Sequence, residues 1–320
     1  MGTVLSMTQQ VDAIVVGAGV VGLTTAISLA EAGLATRVLA ADPPERTTSY
    51  VAGAVWGPSR TSTAGRALDW ARVGLEVLSE LAGDPGAAIR QVSGIMVEPA
   101  ARPAPDWLAI LPDQRPLTEA EVPAGFAGGW RYTAPVVAMP AYLAYLARRF
   151  QRAGGSITIE PVTALRALPA PLIANCTGMG ARDLVPDPQV VPVRGQVVVV
   201  ANPGLTEFYR APSDGPESVY AYPHEDVVVL GGTADEGAWD LIPNDQVTQR
   251  ILRDCAIACP QLEGARIIAV RVGLRPYRPE ARLEAEDLGD GRVLWHNYGH
   301  GGAGVTLSWG CARELARAIR

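Results

Sequence analysis

The stretch VDAIVVGAGVVGLTTAISLAEAGLATRVLAAD, Val11–Asp42, decides the fold. Ala13–Val16 is a short apolar run suited to a buried parallel strand. Gly17, Gly19 and Gly22 form G-x-G-x-x-G around Ala18, Val20 and Val21. Val20–Ala32 has helical spacing, and Gly33 stands where such a helix stops. Thr36–Leu39 reads as the next strand, and Asp42 follows about twenty residues past the last glycine. The first glycine permits a tight turn, the second lets backbone approach a pyrophosphate, and the third lets helix and strand pack closely. The helix start offers free N–H groups and partial positive charge to phosphates, and Asp42 can accept hydrogen bonds from a ribose. Strand, glycines, helix, strand and acid in this order point to dinucleotide binding. The motif alone does not choose between a nicotinamide and a flavin.

The chain has 320 residues, enough for one large or two medium domains. With 48% hydrophobic and 19% charged residues it can build a real core. A net charge of −6 and no Lys/Arg block argue against nucleic acid and anionic membrane surfaces. No apolar run approaches the length of a membrane span. Met1–Gln10 lacks the basic start and apolar centre of a signal peptide and reads as an N-terminal extension, with Met7 an alternative start. The end, Ala318-Ile319-Arg320, is no peroxisomal address. Cys176, Cys255, Cys259 and Cys311 form neither a C-x-x-C pair nor a disulfide ladder, which fits a reducing cytoplasm. The three histidines, His224, His296 and His300, share no helical face, so no metal site is expected.

After Asp42, Thr47, Thr48 and Ser49 place hydroxyls in a loop, and Ala52, Gly53 and Ala54 are small enough for a flat ligand to lie against backbone. Helical spacing marks Ala67–Leu81, Met139–Arg152 and Asp245–Ala258. Gln91–Pro99, Gly129–Val137 and Ser156–Val162 read as strands. Pro171–Arg182, PLIANCTGMGAR, is an apolar run ending in small residues at Thr177–Gly180. Ligands of doubly wound sheets sit at such carboxyl ends. Gly195–Ala201, Val219–Tyr222 and Val227–Leu230 are β-rich and indicate an antiparallel sheet inserted between pieces of the nucleotide domain. Ile267–Val272 is a strand followed by GLRPYRP, and Val293–Trp295 is the last strand, before HNYGHGGAGVTLSWG and a final helix.

Several of these segments, in order, resemble the D-amino-acid oxidases, flavoenzymes related to D-aspartate oxidase and glycine oxidase. The matching residues are Val15–Ala26, the Arg46–Trp56 loop, Asn175–Arg182, Pro192–Gln196, VGLRPYRP (Val272–Pro279) and His296–Gly310, spanning nearly the whole chain. The resemblance implies a mixed α/β chain: a Rossmann-like, discontinuous FAD-binding domain (11–60, 150–195 and 275–320) and a β-rich antiparallel substrate domain (61–149 and 196–274). It implies a noncovalent FAD, held by the first glycine motif, Asp42, Thr47, Thr48, Gly53, Ala54, Val162, Thr177, Gly301, Gly302, Ala303, Gly304, Val305 and Thr306. It implies oxidation of a D-amino acid to an imino acid, reduction of dioxygen to hydrogen peroxide, and hydrolysis to a 2-oxo acid and ammonia. A homodimer is an allowed assembly.

An arginine between Leu274 and Pro276 must find an anion, because an unpaired buried charge is costly. A structural salt bridge would satisfy Arg275. The resemblance instead implies that its planar fork holds the substrate carboxylate. Arg278 reads as structural. Tyr220 and Tyr222 alternate around Ala221, so a strand points both to one face. By resemblance Tyr220 donates to the substrate carboxylate and Tyr222 lines the side-chain pocket. With Val55 and Trp56, Tyr222 makes an apolar wall suited to neutral D-amino acids. Ala211–Ser218 lacks the lid tyrosine of some relatives, and Tyr209 is the nearest substitute. Arg210 reads as a solvated loop residue; pointing inward, it would favour D-aspartate or D-glutamate. Gly301–Gly304, with Gly302 nearest the chemistry, lets the last helix face the flavin ring with free N–H groups. No general base stands out, which fits hydride transfer to flavin N5. Alternatives are a D-aspartate or glycine oxidase, a flavin dehydrogenase with another electron acceptor, and a flavin-binding module without catalysis.

Overall fold

The computed structural model describes residues 11–58, 65–211 and 217–319. The N-terminal extension and the centre of the Ala211–Ser218 stretch lie outside them. One sheet runs through the molecule, and its two ends differ in character. At one end β1 (Ala13–Val16) pairs in parallel with β2 (Thr36–Ala40). On its other side lies β7 (Leu172–Asn175), with β14 (Val293–His300) beyond, and β6 (Ser156–Ile159) closes the edge beside β2, all parallel. β1 and β7 are short and apolar because both faces are covered: Ile14, Val16 and Ile173 face one cluster, Ala13, Val15 and Ala174 the other.

The other end is chiefly antiparallel. It contains β8 (Val191–Ala201), β10 (Glu217–Pro223) and β11 (Val227–Thr233), then β9 (Phe208–Ala211), β3 (Ile89–Glu98), β5 (Gly128–Val137) and the two-residue β4 (Arg115–Pro116). The β3–β9 pair is parallel, an exception inside this half. A short β12 (Asp235–Glu236) pairs with β8 off the main path.

The halves are joined by β13 (Ile267–Asp287), 21 residues long. Its first part pairs with β8 and its last part with β14, and Tyr277 faces both Val191 and His300. The strand expected from the sequence ends at Val272, and GLRPYRP, whose two prolines lack ladder donors, follows it. The chain stays extended through them, with the irregularity falling between Tyr277 and Arg282. Arg275 thus stands two residues before the handover between the halves.

Helix α1 (Val20–Glu31) is apolar on all sides and is buried between β1 and the other helices. Its buried Thr24 and Thr25 hydroxyls donate to the Val20 and Val21 carbonyls, at 2.9 and 2.7 Å, so neither is left unpaired. The long helices after it are α3 (Arg66–Leu81), α4 (Met139–Arg152), α6 (Asp245–Ala258) and α7 (Gly304–Ala318), with short helices α2 (Thr48–Val51) and α5 (Ala181–Leu184) between. Pro140 in the first turn opens α4, and Asn244 caps α6 by accepting from the Val247 N–H. The main core lies where α1, α3, α4 and α7 meet, and a second core lies where α6 covers β8 and β11. Among the described residues no helix is long and apolar enough to cross a membrane.

Candidate active site

A cavity of about 1050 Å³ opens where the two halves of the sheet meet. Its floor begins at the carboxyl ends of β1, β2 and β7. Gly17 turns with φ +116°, and a side chain there would run into the Cys176 carbonyl. Ala18, Gly19, Val20 and Val21 carry the wall into α1. A Cβ on Gly19 would come 3.1 Å from Ser49 Oγ, which itself accepts the Val20 N–H at 3.0 Å. A Cβ on Gly22 would overlap the Gly17 carbonyl. That position faces the turn, so Gly22 serves the close helix–strand packing expected of the third glycine and is not among the residues lining the cavity. Asp42, Val162 and Thr177 line this end, and Thr177 Oγ1 donates to Asn175 Oδ1 at 2.7 Å.

The Thr47–Ala54 segment forms the side. Thr48 and Ser49 lie in α2 rather than in an open loop, because their chain turns back between α4 and β13. The Thr48 hydroxyl donates to the Leu274 carbonyl at 3.1 Å, tying this side to the residue before Arg275. Thr47, Gly53 and Ala54 also face the cavity. His224 Nε2 lies 2.6 Å from the Gly53 carbonyl, which fixes that nitrogen as the donor.

The far end is the start of α7. Gly301, Gly302, Gly304, Val305 and Thr306 line it. Ala303 does not: its methyl is fully buried in the main core, because the tight turn Gly301–Ala303 rotates it away from the wall. Thr306 Oγ1 donates to the Gly57 carbonyl at 3.1 Å and accepts the Gly57 N–H at 3.2 Å, closing the loop against α7. His300 and Asn297 also belong to this wall, and neither was singled out from the sequence as a ligand contact. His300 Nε2 and Asn297 Oδ1 are buried without a partner among the described residues. Burial holds the His300 imidazole neutral, with its pKa down to about 4.

Between these ends stand the candidate substrate groups. Arg275 donates from Nη1 to the Thr233 carbonyl at 2.9 Å. No ion pair joins it to a carboxylate among the described residues, so the salt-bridge reading finds no support here. Arg278, by contrast, pairs with Asp187 at 3.1 Å, as a structural arginine does. Tyr220 and Tyr222 stack on one face of β10 with ring centroids 4.5 Å apart, and both line the cavity. Burial raises the pKa of both phenols, so each keeps its proton at neutral pH.

Arg210 corrects the sequence reading. It is no loop residue: β9 places it directly across from Tyr220, and cross-strand partners share a face. Its guanidinium reaches the cavity and sits 5.9 Å from the Trp107 ring centroid. Tyr209, its neighbour, points the other way into the second core and is no lid. Val55 lines the cavity, but Trp56 is wholly buried, with its indole N–H given to the Ala71 carbonyl at 3.0 Å.

A cavity of this size, bare glycines where phosphates would approach, two helix starts and two unpartnered buried polar atoms fit a dinucleotide. Among the described residues no cluster of three or more His, Cys, Asp or Glu could hold a metal. The family model described as FAD dependent oxidoreductase matches residues 12–318. The chain is 47% identical over 307 residues to the D-amino-acid oxidase of Rubrobacter xylanophilus, covering 95% of this chain and 94% of that one. It is 46% identical over 320 residues to the D-amino-acid oxidase of Streptomyces coelicolor, covering 99% of each. Among solved structures, a glycine oxidase from Bacillus cereus superposes with a TM-score of 0.80 at 18% identity, over 97% of this chain and 95% of that chain.

Proposed function

The chain belongs to the FAD-dependent oxidoreductase family that includes the D-amino-acid oxidases, and from that membership we propose that its cavity binds D-amino acids and oxidises them to imino acids. These hydrolyse to 2-oxo acids and ammonia. The parallel end of the sheet (11–60, 150–195 and 275–320) is the proposed FAD unit, and the antiparallel end (61–149 and 196–274) the substrate unit. The glycine turn, Asp42, Thr47, Thr48, Thr177 and the start of α7 would hold the FAD. When bound, FAD would supply the hydride acceptor for the α-hydrogen, with dioxygen as the final electron acceptor and hydrogen peroxide as its product.

One observation carries this reading: Arg275 reaches the cavity beside Tyr220, donates to the neutral Thr233 carbonyl and makes no ion pair among the described residues. A planar guanidinium so placed can take a carboxylate by two hydrogen bonds, and the Tyr220 phenol can add a third. Among the described residues no group beside it is ready to take a proton. Both tyrosines retain theirs, burial pushes the Cys176 thiol up to about 12, and His300 is a weak base. The substrate amine then has to arrive neutral, so that its lone pair drives departure of the α-hydrogen. The start of α7 faces the same space and supplies N–H groups to negative charge that develops there. The four cysteines are free and buried, which fits a reducing cytoplasm.

The test is peroxide release in air by FAD-loaded protein across paired D- and L-amino acids. Peroxide with D-isomers alone is expected. Substrate-dependent bleaching without peroxide would mean another electron acceptor, and no bleaching by any D-amino acid would overturn the reading.

The position of Arg210 supports a second reading of the side-chain pocket. A second guanidinium on the wall gives D-aspartate and D-glutamate a second anchor, beside the neutral substrates suited to Tyr222 and Val55. Arg210→Ala should lower kcat/KM for D-aspartate about tenfold or more relative to D-alanine, as loss of a charged hydrogen bond does. Equal changes for both substrates would remove Arg210 from side-chain recognition.

A further inference from the structure

Side chains on a sheet normally stand up from it, and neighbours on one face keep each other upright. Arg275 and Tyr220 do not stand free. A Cβ placed on Gly195 would have the Arg275 guanidinium carbon at 2.5 Å, and its three nearest neighbours would all be guanidinium atoms. A Cβ placed on Gly231 would fall among the ring carbons and hydroxyl of Tyr220. Neither glycine has a positive φ, so no left-handed conformation demands glycine at either position. Gly231 is the cross-strand partner of Tyr220, and Gly195 lies on β8 two residues from Val193, the partner of Arg275. A glycine inside a strand marks a place where another group must come close. Here the groups that come close are the two assigned to the substrate carboxylate.

We propose that Gly195 and Gly231 are positioning residues: their missing side chains are the sockets in which the Arg275 guanidinium and the Tyr220 phenol lie down along the sheet. The sockets fix the height of the anchor above the sheet. With a methyl group in either one, the anchoring group rises into space that the substrate carboxylate needs. Thr233 completes the Gly195 socket, since its carbonyl accepts from Arg275 and its hydroxyl accepts the Gln196 N–H at 3.0 Å. The inference rests on the reading of Arg275 and Tyr220 as the carboxylate anchor.

The test uses FAD-loaded protein and propionate, which is D-alanine without its amine and offers no amine to oxidise. Binding is read from perturbation of the flavin spectrum. Arg275→Ala and Gly195→Ala should each weaken propionate about tenfold or more, and Gly231→Ala should weaken it less, in line with a charged pair against one hydroxyl. The double variant Gly195→Ala/Arg275→Ala should bind no worse than Arg275→Ala alone, because both changes act on one group. In anaerobic reduction by D-alanine, Gly195→Ala should raise the half-saturating concentration more than it lowers the limiting rate. Flavin content and melting temperature should stay at wild-type values, because only the end of a flexible side chain has to move. Unchanged propionate binding in Arg275→Ala would overturn the anchor itself. Weakened binding in Arg275→Ala with wild-type binding in Gly195→Ala would overturn the socket alone. Loss of flavin or a sharp fall in melting temperature in Gly195→Ala would reassign that glycine to the fold.

Discussion

At the scale of the residue, Arg275 carries the heaviest expectation. Removing one partner of a buried, hydrogen-bonded charge pair costs about 2–5 kcal/mol. Arg275→Ala should therefore lower kcat/KM for D-alanine about 30-fold or more, at ~1.4 kcal/mol per tenfold. Steady-state kinetics decide it, and an unchanged value removes the assigned role. Tyr220→Phe deletes one hydroxyl from a phenol that keeps its proton, so it should cost about 1.5–3 kcal/mol in binding. As a proton-abstracting base Tyr220 would matter far more, about 10²–10⁴-fold in flavin reduction at saturating substrate. Stopped-flow reduction separates these outcomes. The cavity placement of all three residues was legible in the sequence, Arg275 from its motif and Tyr220 and Tyr222 from strand alternation. Arg210 was not, since its orientation depends on pairing with the strand that follows it. The β9 segment itself, four residues in a polar context, carried no periodic signal. Ser49 read only as a loop hydroxyl and His300 only as one of three histidines, because what each faces is set by tertiary contact.

At the scale of the element, the cavity depends on where α7 begins, and two bare positions set how closely that helix lies on α3. A Cβ on Gly74 would overlap the Thr306 carbonyl, and one on Gly310 would meet the Trp70 Cα and carbonyl. Both obstacles are backbone, so no rotamer change relieves them. Gly310→Val should push α7 away and destabilise the protein by roughly 1–3 kcal/mol or more, the usual effect of overpacking. Thr306 is bonded to Gly57 on the cavity wall, so FAD affinity should fall together with the melting temperature. A variant with full flavin retention and wild-type melting would show that α7 is not so held. Most helices and strands were legible because their periodicity is local: Met139–Arg152 and Asp245–Ala258 are observed with the boundaries read from the sequence. The length of β13 was not, because Pro276 and Pro279 look like terminators. What keeps the chain extended is pairing with two different strands.

At the scale of the whole molecule, the chain buries all three of its histidines, one in each of three separate settings. His300 stands on the cavity wall, His224 behind Gly53, and His296 on β14 against Glu286 at 3.2 Å. Burial lowers all three pKa values below the ordinary 6.5, that of His300 to about 4. The unfolded chain therefore takes up protons as pH falls through 6.5, while the folded chain does not until lower pH. Stability is thus fully present above about pH 6.5 and is lost progressively as pH falls toward the folded values. For His300 alone the loss reaches about 3 kcal/mol by pH 4, at 1.36 kcal/mol per pKa unit. Asp187, whose pKa is lowered beside Tyr298 and Arg278, adds a loss of the same sign but only below the ordinary carboxylate range. The window from pH 6.5 to 5 belongs to the histidines. With FAD in saturating excess, the urea midpoint should fall across that window, and His300→Gln should flatten the slope by the share of one histidine. A midpoint that is level from pH 7 to 5 would show that these imidazoles find protons in the folded state, and with that the neutral cavity wall behind the hydride reading would go.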